Sequence, residues 1–337
     1  MSKAYKYRGG QGILDKDGKS IFERDVATLV NNQLYLPTKD GLNDPTEGVY
    51  GDDALRIFFN AFSEYSHNVE EQYNKFTEKF GKVGVYSLSK TFDNELLWAY
   101  YASGHTGFAI EYDIDILEQS LNYNTYAQQL YKFDVEYLND VPQIDISTIR
   151  GNEIVEMLKR FIGTKSSSWA HEKEVRLIFE NTGLFEIDFK AVTAIYFGCR
   201  MPDGDINYIM EKLKGRGLKY FKMVNVNNSY RFEAKEIEDK YSDAPKYVGN
   251  CVSYDIDNIL LCGGLNEEEM ATYKSYFINA LEMIKDDPNI TKFYLATINY
   301  NQHEPILRIF GNTKNPLAPV KPFEFRVGDN NKVLRIK

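Results

Sequence analysis

Alternation of apolar and polar side chains opens the chain: Tyr5-Lys6-Tyr7-Arg8 predicts a strand with Lys6 and Arg8 on one face, emptying into the flexible loop Gly9-Gly10-Gln11-Gly12. Residues 21 to 31 carry helical periodicity, and Gln33 to Leu36 predicts a short strand stopped by Pro37. Asp44-Pro45-Thr46-Glu47 has the grammar of a helix start, an acidic cap followed by proline and by Glu three residues on. The aromatic-rich amphipathic stretch from about 52 to 80 predicts one long helix or two. Strand patterns recur at 82–89, 106–113, 131–138, 174–180, 194–197 and 218–226, with helices over 93–103, about 150–164 and 205–214. Asp93 or Asn94 would cap the helix that carries Trp98 and Tyr101, and Gly104 would end it. This order is too irregular for a doubly wound sheet. It predicts the α+β class: a mixed or antiparallel sheet with flanking helices.

The polar stretch 240–250 predicts a boundary between a domain over 1–240 and a smaller α+β domain over 250–337. In the latter, a strand is expected at about 252–262, then a helix from the Asn266/Glu269 capping pattern to Lys285. Strands at 290–299, 305–310 and about 322–337 follow, the last a hairpin turning at Gly328-Asp329-Asn330.

Composition narrows this picture. At 337 residues the chain is longer than one core usually supports. The net charge of −9 repels nucleic acid and anionic membranes, so such a partner would need a local patch. Lys212, Lys214, Arg216, Lys219 and Lys222 are the best candidates, although a solvated helix face accounts for them more simply. Cys199, Cys251 and Cys262 are too widely spaced for a disulfide framework or a zinc site. With neither a signal-peptide core at the start nor an apolar stretch of membrane-spanning length, a cytoplasmic protein is expected, without membrane or zinc partners.

Common nucleotide-binding loops, the His-Glu-x-x-His zinc motif and the Gly-x-Ser-x-Gly elbow are absent, and the four histidines are scattered. The conspicuous segment is Trp169-Ala170-His171-Glu172-Lys173-Glu174-Val175-Arg176. Read as a strand, it puts Glu172, Glu174 and Arg176 on one face. A carboxylate pair of this kind suits chemistry that builds positive charge on a sugar ring. Local pattern alone favours the plainer reading, a solvent-facing strand with an internal Glu-Arg pair.

Resemblance shifts the balance. Tyr5 to Arg8, Leu42 to Glu47, Tyr86 to Ser89, Leu97 to Tyr101, Gly104 to Phe108, and Lys165 with Trp169, Glu172, Glu174 and Arg176 together resemble the bacterial family named domain of unknown function 2971, over roughly residues 3 to 235. Three shorter motifs, in the right order, resemble ADP-ribosyltransferases: Tyr7-Arg8-Gly9, Ser87-Leu88-Ser89 and Glu172-Lys173-Glu174-Val175. The middle one departs from the usual Ser-Thr-Ser at Leu88. The second resemblance implies an ADP-ribosyltransferase-like fold and an enzyme that consumes NAD, in a toxin or phage-defence setting, acting on an unidentified macromolecular or small-molecule acceptor. It implies Glu174 as the catalytic carboxylate, Glu172 as its acceptor-orienting neighbour, Arg8 at an NAD phosphate or ribose, and Ser87 with Ser89 near the nicotinamide ribose. Trp98, Tyr101 and His105 are pocket-wall candidates, Lys165 a phosphate contact, and Trp169 a pocket rim. Two alternatives stand beside it: a non-catalytic module sensing a small ligand such as a nucleotide, and a nuclease using Asp44, Glu47, Glu172 and Glu174 around Mg²⁺.

Overall fold

The computed structural model describes residues 2–122, 130–150, 154–249, 251–300, 304–328 and 332–336. In chain order the elements are β1 (Lys3–Arg8), α1 (Ile21–Val30), β2 (Gln33–Leu36), α2 (Asp53–Ala61), α3 (Ser63–Phe80), β3 (Gly84–Ser89), α4 (Glu95–Tyr100), β4 (Phe108–Asp113), α5 (Ile114–Asn122), β5 (Leu130–Asp134), β6 (Glu136–Leu138), α6 (Ile146–Arg150) and α7 (Ile154–Ile162). They continue with β7 (Thr164–Ser166), β8 (Glu174–Phe179), β9 (Gly183–Glu186), β10 (Val192–Phe197), α8 (Asp203–Lys212), β11 (Lys219–Asn225), β12 (Phe232–Ile237), α9 (Ile256–Cys262), α10 (Glu267–Ile284), β13 (Ile290–Asn299), β14 (Ile306–Thr313), β15 (Val320–Val327) and β16 (Val333–Arg335). None of the described helices is long and apolar enough to cross a membrane.

Two compact units result. The first comprises Met1–Glu118, Gln128–Phe185 and Lys190–Lys246, and holds a mixed sheet in the order β12-β11-β10-β4-β1-β3-β8-β5. Only β10 and β11 run parallel; the other neighbours are antiparallel. One apolar layer joins Leu55, Phe59 and Tyr73 of α2 and α3 and Leu158 of α7 to Val85 and Ile178. Another joins Tyr5 and Tyr7 to Leu97 and Trp98 of α4 and to Tyr196. All six residues of β8 are buried: β3 and β5 flank it, Ile178 joins the first apolar layer, and Glu174 and Arg176 are enclosed by ion partners; the solvent-facing strand that local pattern favoured is not what forms. The pairing of β1 is lopsided: six residue pairs with β4, but the single pair Tyr5↔Ser89 with β3. The sheet is therefore closed on one side of β1 and parts on the other.

The second unit comprises Gln119–Ala127, Glu186–Phe189 and Tyr247–Lys337. An antiparallel sheet, β13-β14-β15-β16, packs Phe293, Leu307, Phe323 and Phe325 with Ile259 and Leu260 of α9 and Phe277 and Leu281 of α10. The expected capping box is formed: Asn266 accepts from Glu269 N, and the Glu269 carboxylate accepts from Asn266 N.

Several sequence expectations need correction. Residues 44–47 form a single turn and the helix waits until Asp53; Asp44 Oδ1 accepts from Thr46 N, but Glu47 turns away to long-range cations instead of completing a capping box. The stretch expected as a strand at 252–262 is helical from Ile256, where Asp255 accepts from Asp257 N and Asn258 N and Ile256, Ile259 and Leu260 share a helical face. The 52–80 stretch divides into α2 and α3, and the 131–138 strand into β5 and β6, whose partners differ. Glu172 is not on β8: it ends a 3-10 turn over Ser167–Glu172, and the next residue, Lys173, has φ of 46°. Asp329 and Asn330 of the expected hairpin turn lie outside the described residues.

Candidate functional site

Where β1 and β3 part, a cleft of about 800 Å³ opens in the first unit. Its walls include Lys6 and Arg8 from β1, Asp25 from α1, Ser87 and Ser89 from β3, Tyr101 after α4, and Glu47, Lys165, Glu172 and Glu174. The register makes this convergence unexpected. Tyr5 pairs with Ser89 and Ser89 with Glu174, so in a continuous sheet Glu174 would share a face with Tyr5, and Arg8 would point to the opposite side. Because the ladder ends after one pair, residues of both faces reach the same opening. Lys6 Nζ donates to Ser87 O at 2.8 Å across the gap, filling the place of a ladder N–H.

The acidic end of the cleft is a buried five-residue ion network. Arg176, 1 % exposed, donates through Nε to Glu174 Oε1 at 2.8 Å and through Nη2 to Glu174 Oε2 at 3.1 Å. It also donates to Glu47 Oε1 at 2.8 Å and to Ile162 O at 2.6 Å. Lys165 Nζ lies 2.7 Å from Glu172 Oε2, 3.2 Å from Glu47 Oε1 and 3.7 Å from Glu174 Oε2. Tyr101 donates to Glu172 Oε1 at 2.6 Å, and Glu174 N donates to Tyr137 Oη at 2.8 Å. Three carboxylates facing two cations leave the network one negative charge in excess. Burial pushes the Glu174 carboxyl up, but Arg176 and Lys165 outweigh it and hold it below its ordinary value. Burial pulls Lys165 down, and Glu174, Glu172 and Glu47 outweigh that, so it stays charged.

Hydrogen bonds from the end of β3 and the segment after it set the turn that delivers Glu172. Ser89 Oγ donates to Glu172 O at 2.7 Å, Asn94 Nδ2 to His171 O at 2.9 Å, and Lys90 N to Lys173 O at 3.0 Å. Asn94 also caps α4, accepting from Leu96 N and Leu97 N, so one residue fixes both the helix holding Tyr101 and the turn holding Glu172. The left-handed backbone at Lys173 lets Glu172 and Glu174 both address Lys165 although the first lies off the strand.

The other end is basic. Arg8 Nη1 lies 3.7 Å from Asp25 Oδ2, and its buried Nε has no hydrogen-bond partner among the described residues. Burial disfavours its charge, and Asp25 together with Tyr86 and Tyr112 more than compensates. Ser87 Oγ is close enough to Glu174 to favour the ionised carboxylate, yet it makes no well-formed hydrogen bond.

Of the residues singled out from sequence, Arg8, Ser87, Ser89, Tyr101, Lys165, Glu172 and Glu174 line this cleft, and Trp98, His105 and Trp169 are not among its walls. Trp98 is fully buried, edge-on to Tyr7 with its Nε1 donating to Phe92 O, and is part of the core. His105 stacks on Phe232. Trp169 lies behind Lys165, whose Nζ is 4.8 Å from its ring centroid, and so acts on the cleft indirectly. Lys165 is bound to carboxylates, which removes it as a free phosphate contact. Two charged cleft residues were missed: Asp25 matched an ordinary amphipathic helix, and Lys6 carried only its alternation with Tyr5 and Tyr7. Glu47 matched a cap pattern and entered only as a Mg²⁺ ligand in the nuclease alternative. Lys165 and Arg176 take the positions between Glu47, Glu172 and Glu174 that a Mg²⁺ ion would need, and the described residues contain no metal-holding group. Arg216 and Lys222 of the basic run donate to Val30 O and Met201 O.

Residues 97–177 match the family model described as Protein of unknown function (DUF2971), a span running from within α4 through Lys165 to β8. No curated protein and no solved structure matches the chain.

Proposed function

We propose that the first unit is an ADP-ribosyltransferase-like enzyme that takes NAD in this cleft. The observation that carries the reading is the meeting of Arg8, Ser87 and Glu174, from three separate strands, in one opening. A volume of about 800 Å³ lies within the usual range for small-ligand sites. The ends differ in charge as such a dinucleotide requires: Arg8 with its unpartnered Nε suits a phosphate, and the carboxylate network suits the ribose that becomes positive.

When bound, NAD supplies an N-glycosidic bond whose nitrogen leaves with the electron pair as neutral nicotinamide. Glu174 and Glu172 would offset the positive charge that develops on the ribose as that bond breaks, until a nucleophile of the acceptor, or water, forms the new bond at the anomeric carbon and releases its proton. Arg176 and Lys165 keep Glu174 ionised, and Lys165 fixes Glu172 in direction, so little reorganisation is needed as the bond breaks. Tyr101 orients Glu172 from the other side.

Nicotinamide release from labelled NAD, followed for the native chain and for Glu174→Gln, tests this reading. The native chain should release nicotinamide and Glu174→Gln should not, while NAD still raises the Tm of both. Absence of both turnover and NAD-dependent stabilisation in the native chain rejects it.

A second reading has its own support: both oxygens of Glu172 and both of Glu174 are already engaged by protein groups, which suits a rigid recognition wall. A nucleotide-binding module without catalysis would be stabilised by NAD without releasing nicotinamide.

A further inference from the structure

The cations of the cleft differ in how they are neutralised. Lys165 meets three carboxylates, and Arg24 and Arg8 share Asp25. Lys6 has no carboxylate within ion-pair distance among the described residues. Its nitrogen makes one hydrogen bond, to the main-chain Ser87 O, and lies 4.9 Å from the centroid of the Tyr86 ring. Burying an ammonium without a carboxylate is costly, and a ladder carbonyl could be satisfied by a neutral donor. The charged groups acting on Lys6 are Arg8 from its own strand, Asp25 from α1, Glu174 from β8 and Glu172 from the turn before it. Burial comes first and Arg8 second, and together they outweigh the three carboxylates, so the Lys6 amine is pushed down to about 7. A desolvated lysine beside another cation is one way in which proteins make an amine nucleophilic near neutral pH. In its neutral form one N–H serves Ser87 O and the lone pair is left for the cleft that Lys6 lines.

We propose that Lys6 is a nucleophilic amine that captures, as a Schiff base, a carbonyl compound bearing an anionic group, with Arg8 two residues along β1 holding that group. The amine nitrogen adds to the carbonyl carbon, and the two amine hydrogens leave with the carbonyl oxygen as water, so no oxidant or further reactant is needed. The site is independent of NAD turnover, although NAD seated on Arg8 would compete for it.

Pyridoxal 5′-phosphate, an aldehyde with a phosphate, is the probe. The full chain is treated with it from pH 6 to 9, trapped with borohydride and mapped by peptide mass spectrometry. At pH 7 about half of Lys6 is neutral, against roughly one in several thousand for an ordinary lysine, so Lys6 should label at least about tenfold faster than exposed lysines. Its labelling should reach half-maximum near pH 7 and should fall at least about tenfold in Arg8→Gln. Labelling of Lys6 no faster than exposed lysines, or rising only above pH 9, overturns the proposal, and so does full labelling in Arg8→Gln. The labelling rate and its pH midpoint are both read on the native chain, so they decide for or against a nucleophilic Lys6 even where Arg8→Gln fails to fold.

Discussion

Arg176→Met removes the guanidinium at the centre of the ion network while keeping a long apolar stem in a site that is 1 % exposed. Four hydrogen bonds go with it, two to Glu174, one to Glu47 and one to Ile162 O. The cluster changes from three carboxylates against two cations to three against one, and Lys165, 3.7 Å from Glu174 Oε2, is too far to replace a bidentate partner. Breaking a buried pair by removing one side costs about 3–5 kcal/mol, because the remaining charge stays buried. For a domain of this size each kcal/mol moves Tm by about 2–4 °C, so the first unit should lose about 6–20 °C at pH 7.5 in calorimetry. Acid supplies the second half of the test. The Glu174 carboxyl is held below its ordinary value in the native protein, so its stabilising contribution is present above the unfolded carboxylate pKa and lost as pH falls through the folded one. In the variant the same carboxylate, lacking its partner, is relieved by protonation, and the gap between the two proteins should narrow between pH 7.5 and 4. Adding Glu174→Gln to Arg176→Met should restore at least half of the loss. A variant within about 1 kcal/mol of the native protein at pH 7.5, or a gap that widens in acid, would refute the claim that this network is held together by charge.

Three further outcomes can be measured independently. Tyr101→Phe deletes the 2.6 Å hydrogen bond to Glu172 and should destabilise the first unit by about 1–3 kcal/mol in urea unfolding, whereas no change in midpoint would show that the bond contributes nothing. In Gly107→Ala the added Cβ would lie 2.0 Å from Arg8 O, forcing apart the β1–β4 pairing that holds Arg8, and a loss of about 1–3 kcal/mol in thermal unfolding is expected; unchanged stability would mean that the strands yield freely. Native stability should rise from pH 7 towards pH 9 through Lys6: below about 7 the amine is charged in both folded and unfolded chains and its burial cost is complete, and the cost is relieved as pH passes the folded value while the unfolded lysine stays protonated. Lys6→Met should lack this component in a Tm series across that range, and identical slopes for the two proteins would contradict it.

Much of the framework is encoded locally. Tyr5-Lys6-Tyr7-Arg8, Tyr86 to Ser89 and Glu174 to Phe179 become strands because their pattern fits a pleated, buried ribbon, and Asn94 and Asn266 start helices because a short polar side chain satisfies free N–H groups wherever a helix begins. Local pattern failed where two local solutions competed. Ile256 to Cys262 is short and apolar enough for either a strand or a helix, and the cap at Asp255 decided it.

The cleft itself belongs to a different level. Alternation places Arg8 and Glu174 on their strands, yet the one-pair contact between β1 and β3 is what brings opposite faces of a sheet to one opening. Glu47 shows the same limit: three residues after Asp44 it reads as half of a capping box, while in the folded chain it lies against Arg176, 129 positions away. A sequence specifies burial period and end caps through neighbours a few residues apart. Where a ladder stops, and which distant charge answers a buried carboxylate, follow only from how the strands are ordered, because desolvation makes such charges find partners across the whole fold.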